Sequence, residues 1–295
     1  MLILLCCVWG STWPIMKIAL DEIPPFSMRT ASTALGAMTL WVICLATRRS
    51  VHVPDGKAWG HIVVASLLNI VAFSLLSAFA QVAAATSRVA ILAYTMPVWS
   101  VMLAWIFLRE RPTATQLVSL TLCAAGLTVL IYPLATHGVP LGLLLALGIG
   151  LSWSAGTVYL KWALIKTDPM AAAMWQMAIA FLIIAASTVL FDGGFHFGAA
   201  SARALWAMIV VGIAGNGIAY ALWFTIVPKV SAVSASLGVL GSPVIGVVSS
   251  VLILGERPTG TDIIGFALIL AACACVTLVP QRAARATEQQ PTPTT

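Results

Sequence analysis

Charged side chains are spaced along this chain so that long apolar runs lie between them. Charge-free stretches cover residues 2–16, 30–47, 58–87, 89–108, 116–160, 169–191, 204–228, 230–255 and 263–281. Most match the roughly 20 residues an α-helix needs to cross a hydrocarbon core. The longest must hold two spans, and its break is expected between Pro133 and Pro140, where Thr136, His137 and Gly138 interrupt the apolar run with turn chemistry. Ten helices follow. The first segment has no basic leader region or small-residue cleavage site, and Trp9, Trp13 and Lys17 lie within it, so it reads as a retained helix.

Composition excludes a water-soluble domain. Hydrophobic residues make up 61% of the 295 positions and charged residues 8%, against roughly a quarter charged in soluble domains. The expected fold is an all-α integral membrane protein with the lipid bilayer as its main partner. The formal charge of +6 does not indicate nucleic acid, because the basic residues are dispersed among short loops rather than gathered on one face. With the N-terminus inside, the cytoplasmic loops and tail hold Arg48, Arg49, Lys57, Arg109, Arg111, Lys166, Lys229, Arg282 and Arg285, and the external loops hold Arg203 and Arg257. That bias predicts a multi-pass membrane protein with both termini cytoplasmic. Cys6, Cys7, Cys44, Cys123, Cys273 and Cys275 all lie in apolar runs without zinc-ligand spacing, so packing is their expected role and neither metal nor cofactor is expected.

The chain repeats itself. Residues 110–115 read Glu-Arg-Pro-Thr-Ala-Thr and residues 256–261 read Glu-Arg-Pro-Thr-Gly-Thr, an offset of 146 at which Pro97 also falls on Pro243. At an offset of 144, Trp9, Lys17 and Pro25 fall on Trp153, Lys161 and Pro169. The expected units are residues 1–138 and 139–280, followed by a disordered cytoplasmic tail, 281–295. Five helices per half is an odd number, so the second half enters the membrane from the opposite side. Inverted repeats of this kind recur in secondary transporters, whose substrate site lies between the repeats near the bilayer midplane.

Trp9-Gly10-Ser11-Thr12-Trp13, Lys17, Pro25 and Arg29, followed by Pro97 and Leu108-Arg109-Glu110-Arg111, resemble the drug/metabolite transporter superfamily, in its ten-helix EamA-type branch. Within that branch the chain is most similar to bacterial exporters of aromatic and other neutral amino acids, the YddG type. The resemblance implies alternating access for small neutral or zwitterionic metabolites, amino acids first among them, through a central cavity in the bacterial cytoplasmic (inner) membrane; a monomer is the expected form. A multidrug or other metabolite efflux carrier of the superfamily, or a channel, remains an alternative. Arg29 faces Ala173 and Trp13 faces Thr157 in the repeat alignment, so the second half need not duplicate the first half's contacts.

Candidate site residues are the polar and aromatic ones placed deep in the spans. Trp9, Trp13, Trp99 and Trp153 lie away from helix ends, where a buried indole N–H needs a partner. Asn69 and Asn216 sit midway along the third and eighth helices, with Tyr220 one turn beyond Asn216. On the fourth helix Arg88, Thr95 and Trp99 fall at near-helical spacing, with Tyr94 rotated from Thr95 by about 100°. The expected cavity residues are Trp13, Asn69, Tyr94, Thr95, Trp99, Trp153, Asn216 and Tyr220; for each, packing or an interhelical hydrogen bond is the alternative. Pro97 and Pro243 free the carbonyls four residues earlier and serve as hinges or as benign kinks. Lys17 and Lys161 either snorkel to headgroups or sit at opposite mouths of the pathway. Arg29 and Arg88 are expected near the external surface, where Asp21 or Glu22 would pair with them in a gate. Glu110 and Glu256, in loops beside arginines, read as ion-pair or capping residues.

No acidic residue falls at mid-span. A proton relay normally needs a titratable carboxylate or histidine there, which favours facilitated diffusion or exchange over proton-coupled efflux. Neither HExxH nor paired aspartates within spans suggest an intramembrane enzyme. The charge bias makes a topological prediction. In a cysteine-free background, single cysteines placed within residues 192–203 should react with an impermeant thiol reagent from outside, and those within 48–57 only from the cytoplasm; labelling of 192–203 only from the cytoplasm would reverse the orientation.

Overall fold

The computed structural model describes residues 2–132, 140–226 and 232–278, with the backbone alone at 2, 226, 232–240 and 276–278. The turn expected at Pro133 to Pro140 falls almost wholly outside the described residues, and the tail 281–295 wholly so. Ten membrane helices form: α1 (Leu2–Leu20), α2 (Pro25–Ala46), α3 (Gly56–Ala83), α4 (Thr86–Leu108), α5 (Ala114–Ile131), α6 (Leu141–Ala163), α7 (Pro169–Asp192), α8 (Ala202–Thr225), α9 (Ala232–Leu254) and α10 (Gly260–Leu278). Among the described residues the first eight are long and apolar enough to cross a membrane, and the last two are apolar over Gly241–Leu254 and Gly260–Cys275.

Local chemistry sets the helix ends. Asp55 accepts from the Ala58 amide at 2.7 Å to start α3, Thr113 and Gln116 form a reciprocal capping box on α5, and Ser201 caps α8 through the Ala204 amide. Proline opens α2 and α7, where its missing N–H costs nothing. Outward faces are apolar in the lipid zone, with Leu190, Leu252 and Ile3 each more than three-quarters exposed. Buried polar side chains instead line the bundle interior, Ser32, Ser77 and Thr33 among them. That inversion of the soluble pattern follows from a hydrocarbon solvent.

Helix pairing respects a two-fold relation between α1–α5 and α6–α10. Extensive interfaces join α3 with α6, α5 with α10, α2 with α7, α2 with α8, and α1 with α9, the last matched by α6 with α4. Helices α2 and α7 run antiparallel, joined by Thr30 and Thr188 hydroxyls 2.8 Å apart near one end and by an Arg49–Asp168 ion pair of 2.9 Å at the other. Between α5 and α10, Ser119 donates to the Ala272 carbonyl at 2.7 Å, and Gly126 and Gly265 face each other so closely that a Cβ on either would lie 3.1–3.2 Å from the other's carbonyl. Small residues permit this backbone approach where apolar burial supplies no drive between helices.

Among the described residues, three places depart from regular helix. Residues Leu67–Ala72 of α3 and Val211–Ile218 of α8 form π-helical segments, at corresponding positions of the two halves, and they contain Asn69 and Asn216. Helix α4 breaks between Ala93 and Met96, with Pro97 in the first turn of the second piece and the Thr95 hydroxyl donating to the Leu92 carbonyl at 2.7 Å. Its repeat partner Pro243 lies inside an uninterrupted α9. The two prolines therefore differ in local effect: one opens a new helical piece, the other is accommodated within one.

The α5–α10 seam makes a stability prediction. Gly265→Val would place a Cβ 2.4 Å from Leu130 Cγ, an overpacking expected to cost about 1–3 kcal/mol. A thermal unfolding scan of purified protein should show a clear loss for G265V and none for Gly60→Ala, whose Cβ meets nothing within 4 Å.

Candidate functional site

A cavity of about 140 Å³ lies where both halves meet, bounded by α1, α2, α3, α4, α6, α7 and α8. One wall is aromatic. Trp9 packs against Tyr220 and Trp223 at ring-centroid distances of 6.1 and 5.7 Å, Tyr220 meets Trp153 at 6.0 Å, and Trp153 meets Phe73 at 5.3 Å. Across the site Trp13 and Tyr94 make an edge contact at 6.4 Å. The rest of the lining includes Thr12, Arg29, Ser74, Ser77 and Asn216, and among the described residues no carboxylate.

Both π-helical segments contribute to this space, Ile70 from α3 and Gly215 with Asn216 from α8. A π turn widens the helix and re-aims its side chains, which is why such turns gather at functional sites. Gly215 lets α1 approach, since a Cβ there would lie 3.0 Å from the Thr12 side chain. The Asn216 amide nitrogen donates to the Ser32 carbonyl at 3.1 Å. That bond fixes the amide plane while Asn216 still lines the cavity.

Of the eight expected cavity residues, Trp13, Tyr94, Trp153, Asn216 and Tyr220 come together here. Asn69, Thr95 and Trp99 are outside the lining. Asn69 is buried against α6 and α7: its amide donates to Gln176 Oε1 at 3.4 Å, and Gly156 leaves the room, because a Cβ there would lie 2.1 Å from Asn69 Oδ1. The Trp99 indole donates to the Thr95 hydroxyl at 3.1 Å, so these two close the α4 break on themselves. Carbonyls around that break are also covered by protein. Ser154 donates to the Met96 carbonyl at 2.6 Å, the Cys273 thiol donates to that of Tyr94 at 3.1 Å, and Ala93's carbonyl lies against Gly150.

The expected gate residues separate into two kinds. Lys17 pairs with Asp21 at 2.8 Å and Lys161 with Glu110 at 2.6 Å, both partly or largely exposed, where screening leaves such pairs little energy. Arg88 forms a two-pronged bond with Asp262, at 2.7 and 3.0 Å, instead of reaching Asp21 or Glu22. Glu22 is engaged elsewhere, accepting from the Ser201 amide and hydroxyl at 2.6 and 2.8 Å, and these donors hold its carboxyl below the usual range. Glu256 caps the start of α4 through the Thr86 and Ser87 amides at 2.6 and 2.9 Å. Arg29 differs from the position expected for it. It is not at a surface but 3% exposed, in the cavity wall, bonded to the Ser77 hydroxyl.

Sequence reasoning left Trp9, Trp223, Ser74 and Ser77 out of the site. A signal existed for some of them: Trp9 precedes Trp13 by one helical turn, and Ile70, Ser74 and Ser77 share a helix face. The burial of Arg29 carried no such signal, because it depends on how α2 docks between α3 and α8.

Comparison with known proteins agrees with this architecture. The chain is 26% identical to the uncharacterized transporter YvbV of Bacillus subtilis, covering 92% of this chain and 88% of that one. It is 22% identical to a probable amino-acid metabolite efflux pump of Escherichia coli (91% and 90% covered) and 24% identical to a probable terminal-alkyne amino-acid exporter of Streptantibioticus cattleyicolor (92% and 90%). A solved crystal structure superposes with a TM-score of 0.65 at 21% identity over 93% of this chain and 94% of its own, a likeness of fold. The model of the EamA-like transporter family matches twice, over residues 1–132 and 140–278, one match to each five-helix half. This multi-pass membrane protein belongs to the EamA-like transporter family.

Proposed function

We propose that this chain is a secondary carrier that moves small neutral or zwitterionic metabolites, aromatic and other neutral amino acids foremost, by alternating access through the central cavity. The observation that carries this reading is the cavity itself: an aromatic wall and a few polar groups, drawn from seven helices of both halves. Aromatic lining suits bulky neutral side chains, and a small set of polar groups fixes orientation. Relatives named as amino-acid efflux pumps and exporters support the substrate class. The two five-helix halves, residues 1–138 and 139–280, are the moving bodies, and the broken α4 at Pro97 is the hinge, with Pro243 as the stiffer counterpart. The protein resides in the bacterial inner membrane with both termini cytoplasmic, as the basic-residue bias requires. Because the described residues of the lining include no carboxylate, net flux runs down the substrate gradient without a proton gradient.

Proteoliposome uptake of a labelled amino-acid panel tests the reading. Wild-type protein should catalyse saturable uptake with trans-stimulation that survives collapse of the pH gradient. Trp153→Ala removes apolar contact and Asn216→Leu removes a polar group of similar size; each should lower kcat/KM by about tenfold, equivalent to roughly 1.4 kcal/mol. Trp206→Ala, at a 66% exposed position, should leave substrate selectivity unchanged. Wild-type flux in the folded Trp153 and Asn216 variants would remove the cavity from the pathway.

A further inference from the structure

Among the described residues Arg29 is a buried charge without a counter-ion. Its side chain makes one bond, to the Ser77 hydroxyl, and its Nε has no partner. Ser77 in turn donates to the Ser74 carbonyl at 3.0 Å, which turns an oxygen lone pair toward the guanidinium and steadies it. The acids of the chain are engaged elsewhere. Asp21, Asp168, Asp262 and Glu110 pair with Lys17, Arg49, Arg88 and Lys161. Glu22 and Glu256 accept from backbone amides, Asp55 caps α3, and Asp192 lies at the end of α7 outside the cavity lining. Glu288 is outside the described residues.

Guanidinium stays protonated in proteins, and an uncompensated charge away from water is costly. A cavity that keeps one therefore awaits an anion. The planar fork of donors matches a carboxylate, two parallel N–H bonds to two oxygens. Beside it stand the faces of Trp9, Trp153 and Tyr220, which attract an ammonium through the ring quadrupole and accept an apolar side chain. A space of about 140 Å³ is on the order of one that takes a single benzene ring.

We propose that Arg29 is the carboxylate anchor of the central site, held in aim by Ser77, and that substrates must therefore carry a carboxylate. Amino acids enter, a monocarboxylate occupies the anchor without the ammonium contact, and amines and organic cations without a carboxylate are rejected. This rests on the carrier reading above and narrows it, since it sets the charged half of the substrate rather than its side chain.

The test is binding to purified full-length protein, read by quenching of the cavity tryptophans, with L-phenylalanine, 3-phenylpropionate and phenethylamine as probes. L-Phenylalanine and 3-phenylpropionate should bind, and phenethylamine at least about tenfold more weakly. Arg29→Gln should weaken the two carboxylates by about 10- to 100-fold, the range for a charge-assisted bond, and leave phenethylamine no weaker. Arg29→Lys should recover part of the loss. Where Arg29→Gln does not fold, the wild-type ranking and Arg29→Lys decide. Equal binding of phenethylamine and L-phenylalanine by wild type, no carboxylate binding at all, or a folded Arg29→Gln that keeps the carboxylate preference, each overturns the proposal. If 3-phenylpropionate binds through Arg29 while no amino acid does, the amino-acid reading falls and the anchor stands. If wild type and Arg29→Gln transport L-phenylalanine alike, the anchor falls and the carrier reading stands.

Discussion

A backbone amide inside hydrocarbon has no water to bond with, and everything in this molecule answers to that requirement. It forces ten helices that satisfy their own N–H and C=O groups, and it pushes apolar side chains such as Leu190 and Leu252 outward into lipid. It also decides where regular helix can be given up. The π segments of α3 and α8 and the break of α4 all occur toward the bundle interior, next to the cavity or sealed by neighbours. The α4 break shows the principle locally: Thr95, Ser154 and Cys273 each supply a donor to one of its carbonyls. Irregular backbone survives at membrane depth only where protein or a cavity takes the place of water.

An inverted repeat gives the two halves the same scaffold, but not the same chemistry. Both third helices carry a π segment with an asparagine, yet Asn216 lines the cavity while Asn69 is packed between α6 and α7. Pro97 interrupts α4 and Pro243 does not interrupt α9. Glu256 caps the start of α4, whereas Glu110 reaches Lys161. Most of all, Arg29 has an alanine, Ala173, at its counterpart, so among the described residues the cavity lining holds a single fixed cation.

The helix count was legible in the sequence, because hydrophobic length is a property of the chain itself. Trp13, Trp153, Asn216 and Tyr220 were identifiable as deep residues for the same reason. What could not be read was which deep residue faces which neighbour. Trp99 and Thr95 satisfy each other across one turn, a choice made by the α4 break. Asn69 is excluded from the lining because Gly156 opens a recess for it on α6, a contact between residues 87 positions apart in sequence. Arg29 looked like a rim residue because it is near the start of α2; its burial comes from the packing of α2 against α3 and α8.

In the proposed carrier, the cavity between the halves is the substrate's route. A single cysteine at Ser74, a lining residue that no other part of the account requires to be charged or aromatic, gives the most direct measurement in an otherwise cysteine-free protein. Its alkylation should slow in proportion to site occupancy when transported substrate is added, and a cysteine at the lipid-facing Trp206 should be indifferent. Substrate-independent alkylation at position 74, in protein that still transports, would place the route elsewhere and contradict the account.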